Sequence, residues 1–215
     1  MTAEIDLIVP LKSPHRGKTR LRTHREPSVQ HSELVLALAH DTLAAARATP
    51  QVRSLLVVTA APAEIRALQE HDTELFDETD AGGLNSALCR AAQWLQKLRH
   101  PRGIVGVLQA DLPALRPAEL TNALHEAAGE RAFITDRQGT GTTLLLAAPG
   151  QPLAPRFGIG SAVAHAESGA YELSTPAPTL RSDVDTPQDL AHAARLGLGA
   201  HTRKLVGTTA LPTPG

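Results

Sequence analysis

Cysteine, aromatic residues and an excess of charge are what this chain has little of. A single cysteine, Cys89, stands among 215 residues. It excludes an intrachain disulfide and any cysteine-rich metal site. Cys89 falls within a helical pattern, where a lone cysteine serves as apolar filler. Aromatic residues make up 2% of the chain, so aliphatic side chains and alanine must fill the core. Lysine and arginine number 21 against 22 acidic residues, a formal net charge of -1. A general nucleic-acid or membrane-surface binder carries a basic surplus instead. No apolar run reaches the roughly 18 residues that span a bilayer. Met1 to Asp6 starts acidic and runs straight into a strand, unlike a secretory signal. The expectation is a cytoplasmic protein with neither nucleic acid nor membrane as partner.

What is present is aliphatic and alternating. Hydrophobic residues make up 42% of the chain, enough for the core of one α/β domain. Strands are expected at Ile5–Leu11, Ser54–Thr59, Glu74–Phe76 and Ile104–Gln109. Helices are expected from Ser32 or Glu33, at Pro62–Gln69, Leu84–Leu98 and Pro117–Ala128. Alternating strands and helices imply a doubly wound, mostly parallel sheet. Ala132–Asp136, Thr142–Ala147 and Leu180–Val184 read as later strands, an antiparallel addition to that sheet. Helices at Ser161–Ser168 and from Thr186 or Pro187 to Leu196 complete the pattern. One domain over 1–205 is expected, with a flexible tail over 206–215.

Residues 105–115 carry the sharpest signal. An apolar run ends abruptly at Asp111, and Pro113 follows. Ligands of open α/β sheets bind beyond the carboxyl ends of the strands. A carboxylate there can hold a metal against phosphate. It can equally cap a helix or close a turn. The loop after the first strand holds two of the four lysines of the chain, Lys12 and Lys18, together with Arg20. Cations at that position suit a polyphosphate. The Walker spacing is absent, which excludes a P-loop.

Three glycine-bearing segments follow. Gly82-Gly83-Leu84-Asn85 can offer backbone groups and an amide to a base edge, or simply start a helix. The stretch 136–143 is either an anion-binding loop or a hairpin turn. Residues 155–162 place Arg156, Gly158, Gly160 and Ser161 before a helix, as an anion nest or a plain loop with a serine cap. Near the end, Asp183 and Asp185 are two apart, on one face of an expected strand. Paired carboxylates are costly without a cation. Thr186 and Pro187 suit a helix N-cap and first turn, and one aspartate can serve the cap while the other binds metal. Most of the ten histidines are expected at the surface. None completes a Ser/His/Asp triad or a Cys/His pair.

Taken in order, Lys12…Lys18-Thr19-Arg20-Leu21, Gly83-Leu84-Asn85, Leu108-Gln109-Ala110-Asp111-Leu112-Pro113, Asp136-Arg137-x-Gly139-Thr140-Gly141-Thr142, Arg156-Phe157-Gly158-x-x-Ser161 and Asp183-Val184-Asp185-Thr186-Pro187 resemble the CofC/FbiD family. Its members are guanylyltransferases of deazaflavin coenzyme F-420 biosynthesis, and the resemblance covers about residues 5–200. It implies a nucleotidyltransferase fold of the GT-A type. It also implies GTP as donor and a small phosphorylated carboxylic acid as acceptor, phosphoenolpyruvate in the actinobacterial branch. It places magnesium, as two ions, on Asp111 and Asp183, with Asp185 beside them. It places the acceptor on Thr142, Gly158 and Ser161. The nucleotide falls on Lys12, Lys18, Arg20, Gly83, Leu84 and Asn85, with Lys18 assisting catalysis. A downstream transferase is expected to take the product, and the chain to be a monomer or homodimer. Acceptors such as 2-phospho-L-lactate or 3-phosphoglycerate, a molybdopterin-type nucleotidyltransferase, and a non-catalytic nucleotide binder are the competing readings.

Overall fold

The computed structural model describes residues 4–14, 21, 28–68, 73–79, 82–98 and 103–208, apart from the side chains of 28–30, 67 and 208. The first strand, β1 (Ile5–Pro10), is buried from Ile5 to Val9. A central parallel strand reads as such an apolar run because helices cover both of its faces. Leu7 and Val9 enter one core and Ile8 the other. Asp6 interrupts the run, and Arg53 and Ser54 of the next strand bind its carboxylate. A charge so placed is stable only when paired.

The helix α1 (Ser28–Arg47) carries the chain to β2 (Val52–Thr59), parallel to β1. It begins before the expected Ser32. The expected helix at 62–69 is instead a set of turns ending in a short 3-10 helix, Arg66–Leu68. Ile65 and Leu68 are both fully buried. Their spacing of three matches the tighter 3-10 period, which a short connection accommodates. Next come β3 (Thr73–Asp77), α2 (Leu84–Leu98) and β4 (Ile104–Leu108). Ala87, Leu88, Ala91, Ala92 and Leu95 form the buried stripe of α2, the helical spacing legible in the sequence.

After α3 (Pro117–Ala127) come β5 (Ala132–Thr135) and β6 (Thr142–Leu146), which form a hairpin. The helix α4 (Ser161–Glu167), the two-residue strand β7 (Tyr171–Glu172), α5 (Pro187–Leu196) and α6 (Ala200–Thr208) complete the described chain. The helix α6 runs past the expected boundary at 205, and residues 209–215 lie outside the described residues.

The seven strands form one sheet in the order β3-β2-β1-β4-β6-β5-β7. The strand β6 runs antiparallel to both of its neighbours, and every other pairing is parallel. This is the mostly parallel sheet with an antiparallel addition that the sequence implies. One expected strand is absent. Leu180–Val184 pairs with no strand among the described residues, although its burial alternates. Leu180, Ser182 and Val184 face in, but residues 178–181 form a turn, with Arg181 N–H donating to Ala177 O at 3.1 Å, so no strand runs through them.

The strand order reverses at β1. The chain leaves β1 for β2 on one side and later returns to β4 on the other. Helix α1 packs on one face of the sheet and α2 on the opposite face. A crevice opens where such crossovers diverge, above the carboxyl ends of β1 and β4.

Candidate active site

A cleft of about 800 Å³ occupies that position. The end of β1 contributes Pro10, Leu11 and Lys12, and the segment after β3 contributes Glu78 and Thr79. Gly82, Gly83 and Leu84 come from the turn into α2. Gln109, Ala110 and Asp111 follow β4. Asp136, Gly141, Thr142, Phe157, Gly158, Ser161, Asp183 and Asp185 close the far side. Of the expected site residues, Lys12, Gly83, Leu84, Asp111, Thr142, Gly158, Ser161, Asp183 and Asp185 therefore meet in one cavity. Lys18 and Arg20 lie outside the described residues.

Asp111 is fixed by its backbone. Gln109 N–H donates to Thr143 O at 2.9 Å, which extends the pairing of β4 with β6. Leu112 N–H donates to Thr42 Oγ1 of α1 at 2.9 Å. The helix that follows has Arg116 at its N-cap position and Pro117 in its first turn. Asp111 therefore caps no helix, and its buried side chain lines the cleft. Val184 N–H donates to Asp111 O at 3.0 Å. That single bond brings a segment distant in sequence alongside Asp111, with Asp183 and Asp185 on either side of the contact.

The cap of α5 settles a second alternative. Thr186 Oγ1 accepts from Asp189 N–H, and Asp189 Oδ2 accepts from Thr186 N–H at 3.0 Å. Thr186 and Asp189 thus form the capping box. Neither Asp183 nor Asp185 is needed for it. Arg137 donates to Asp189 Oδ1 at 3.0 Å and ties the β5–β6 hairpin to this helix. Burial pushes the Asp189 carboxyl up, but hydrogen bonds from Thr186 and Arg137 outweigh it and hold it below the usual carboxylate range.

Two expected ligand loops are engaged internally. Asp136 Oδ1 accepts from Thr140 N–H and Oδ2 from Gly141 N–H, each at 2.8 Å. The concavity at 136–141 thus holds its own carboxylate, and the hairpin reading is the correct one. The side-chain amide of Asn85 is also engaged. Its Nδ2 donates to Phe157 O at 3.0 Å, and its Oδ1 accepts from Phe157 N–H at 2.8 Å. Asn85 fixes the loop that carries Gly158 and does not line the cleft. The start of α4 has little donor capacity left. Ser161 N–H donates to Gly158 O and Ala162 N–H to Thr140 O, both at 3.1 Å. Side-chain hydroxyls, those of Thr142 and Ser161, are the polar groups this wall presents.

His165, behind the Thr142–Ser161 wall, was not singled out in the sequence. It and His31 are the buried histidines among the described residues, and His165 is fully buried. Its Nδ1 lies 2.9 Å from Thr142 Oγ1, and its Nε2 accepts from Arg156 N–H at 2.9 Å. Burial, then the nearby Arg131 and Arg156, push the imidazole down to about 4. The available signal was spacing: Ser161 and His165 are four apart and so share one helix face. On the opposite wall, burial pushes the Glu78 carboxyl up, against the lowering pull of Lys12.

The cleft offers hard oxygen donors for a cation. Among the described residues no three carboxylate, imidazole or thiolate side chains gather closely enough to hold a metal alone. Magnesium is ordinarily held by one or two carboxylates plus phosphate oxygens and water. Asp111 and Asp183 fit that donor set, which is completed only by a phosphorylated ligand.

Comparison with known proteins agrees with the geometry. Residues 5–209 match the family model described as "Guanylyl transferase CofC like". The chain is 47% identical to the phosphoenolpyruvate guanylyltransferase of Salinispora arenicola, over 100% of this chain and 99% of the relative. It is 44% identical to the enzyme of the same name from Mycolicibacterium gilvum, over 95% of each. The fold is shared with a 4-diphosphocytidyl-2C-methyl-D-erythritol synthase, at a TM-score of 0.61 and 15% identity over 91% of this chain and 99% of that one. A nucleotidyl transferase from Methanothermobacter thermautotroptrophicus superposes at 0.58 with 19% identity, over 89% of this chain and 98% of that one. A nucleotidyltransferase fold, a cleft at its switch point and a match along nearly the whole chain lead to one conclusion. The chain belongs to the CofC family of guanylyl transferases.

Proposed function

We propose that this protein joins GTP to phosphoenolpyruvate, releasing pyrophosphate, as a step of deazaflavin coenzyme F-420 biosynthesis in the cytoplasm. The observation that carries the reading is the division of the cleft. Lys12 follows β1, Asp111 follows the neighbouring β4 and Thr142 begins β6 beyond it, so Lys12 and the Thr142–Ser161 hydroxyls line opposite sides of a cavity that Asp111 and Asp183 also line. Relatives named for this reaction match end to end, which supports phosphoenolpyruvate as the acceptor.

In this reading an acceptor phosphate oxygen attacks the α-phosphorus of GTP in line. The bond from the α-phosphorus to the bridging oxygen breaks, and pyrophosphate leaves with the electron pair. The attacking phosphate is already ionised at neutral pH, so no general base is required. Gly83 and Leu84 border the nucleotide, and Asn85 supports the acceptor loop from behind. Lys12, with Lys18 and Arg20, holds the outer phosphates and stabilises the leaving group. Asp111 and Asp183, with Asp185 beside them, are the residues that would hold magnesium, as two ions, whose charge would offset repulsion between the two phosphates. Thr142, Gly158 and Ser161 orient the acceptor. Catalysis is positioning and electrostatics, and proximity alone is worth up to roughly 7–11 kcal/mol in ideal cases. The anhydride product passes to a downstream transferase.

The test is product mass and pyrophosphate release after incubation with GTP, magnesium and each of phosphoenolpyruvate, 2-phospho-L-lactate and 3-phosphoglycerate. A guanylylated phosphoenolpyruvate is the expected product. Turnover only with another acceptor would replace the substrate assignment. Nucleotide binding without turnover on any acceptor would leave a non-catalytic binder.

A further inference from the structure

The Thr142–Ser161 wall is backed by a chain of hydrogen bonds that ends on a peptide N–H. Ser161 Oγ lies 3.1 Å from Thr142 Oγ1, which lies 2.9 Å from His165 Nδ1. His165 Nε2 faces Arg156 N–H at 2.9 Å. A peptide N–H can only donate, so Nε2 must be the acceptor and carries no hydrogen. A neutral imidazole then has its one proton on Nδ1 and donates it to Thr142 Oγ1.

The consequence follows from counting hydrogens. Thr142 Oγ1 receives one from the imidazole. The two hydroxyls bring two more, and the bond between them uses one. One hydroxyl hydrogen is left over, and both side chains line the cleft. With the opposite tautomer, Thr142 would have to donate to Nδ1 and Ser161 to Thr142. Both hydroxyl hydrogens would be used, and the wall would present only lone pairs. Those would repel an anion.

We propose that His165 is a positioning residue that, as its Nδ1–H tautomer, turns a hydroxyl hydrogen of the Thr142–Ser161 pair toward the cleft as donor to an anionic oxygen of the acceptor substrate. The inference rests on the acceptor reading of that wall given above. Its surroundings keep the ring neutral and fixed. Arg131 and Arg156 are the charged groups that face it, and both disfavour a second proton. Phe157 packs edge-on against the imidazole at 5.0 Å between centroids, and Phe133 lies against it at 6.0 Å. Asn85 in turn fixes the Phe157 backbone.

Two measurements test this. The first is the nitrogen-15 spectrum of the histidine-labelled wild-type protein without substrate. A buried histidine with Nδ1 protonated and Nε2 bare is expected, and a protonated Nε2 would overturn the proposal. The second is steady-state kinetics of His165→Phe and His165→Asn with GTP and phosphoenolpyruvate. The phenylalanine keeps the ring packing and removes the donor. One hydroxyl hydrogen remains but is no longer turned toward the cleft, so the KM for phosphoenolpyruvate should rise roughly three- to tenfold, the loss of one ordinary hydrogen bond. The KM for GTP should stay within about twofold. The asparagine side chain places an amide N–H near the position of Nδ1, so His165→Asn should recover most of the loss. Equal rises in both KM values, with no recovery by His165→Asn, would mark a merely structural role and sink the idea. The spectrum needs no substrate, so the tautomer is decided even if another acceptor proves to be the true one.

Discussion

Two of the glycine-bearing loops beside the cleft are stabilised in opposite ways. The first, 136–141, contains its own anion: Asp136 satisfies Thr140 N–H and Gly141 N–H within one short turn. The second, 155–161, is held from outside, by Asn85 of α2 and His165 of α4. Similar composition thus yields one self-sufficient turn and one loop whose shape depends on distant side chains. A glycine-rich segment binds an external anion only where its donors remain unused, and in the first loop two of them are taken. The second loop is the one whose geometry mutations elsewhere can change, and it carries two of the proposed acceptor contacts, Gly158 and Ser161.

The largest expected effect separates a cleft carboxylate from the loop carboxylate. Asp111→Asn should lower kcat on the order of 10²-fold or more, as loss of other electrostatic stabilisers does. Pyrophosphate release measures it, and unchanged turnover would remove Asp111 from the reaction.

Next comes the self-filled loop. A Cβ on Gly141 would lie 2.4 Å from Asp136 Oδ2, so Gly141→Ala must displace the carboxylate. A cost of about 1–3 kcal/mol is expected, read as a lower melting temperature. Asp136→Ala should cost a similar amount, about 1–3 kcal/mol, for the two backbone hydrogen bonds it removes, one exposed and one part-buried. The two losses should not add, because the alanine at 141 no longer meets a carboxylate in the double variant. Additive losses would break the comparison.

Asn85→Ala should cost less stability, about 1–2 kcal/mol for two exchanged hydrogen bonds. It should raise the KM for the acceptor more than that for GTP, because the loop it holds carries the proposed acceptor contacts. The smallest effect is in pH. The folded-state imidazole of His165 sits at about 4, below its ordinary 6.5. The unfolded chain therefore binds the proton first as pH falls. The stability contributed by the neutral ring is full above about 6.5 and declines as pH falls toward 4. Denaturation midpoints measured across that range should lose this slope in His165→Phe, and should keep it in Gly141→Ala.

Much of this was legible in sequence, and the reasons are local. Ile104–Leu108 and Leu84–Leu98 carry strong apolar patterns, and the structure places both as expected. Thr186 and Pro187 announced the start of α5 through cap chemistry. Leu180–Val184 misled because a turn and the segment after it, packed on the core, give the same alternation of burial as a paired strand. The two-residue β7 is too short to leave a period. In the site, Asp111 stood out because it ends an apolar run, and Asp183 and Asp185 because paired carboxylates are costly without a cation. The engagement of Asn85 and Asp136 was hidden, since an amide or carboxylate has the same appearance in sequence whether it faces a ligand or a peptide group. His165 was hidden in a different way. Its partners Thr142 and Arg156 come from separate segments, and only the fold brings them together.

The bond from Val184 N–H to Asp111 O has a consequence for the order in which the molecule becomes an enzyme. A nascent chain that has emerged through β6 already has every strand of the parallel half of its sheet and the first carboxylate. It still lacks the segment that lays Asp183 beside Asp111. Cleft chemistry therefore belongs to the last part of synthesis, and a chain truncated before Val184 has the parallel strands without the contact that brings Asp183 alongside Asp111.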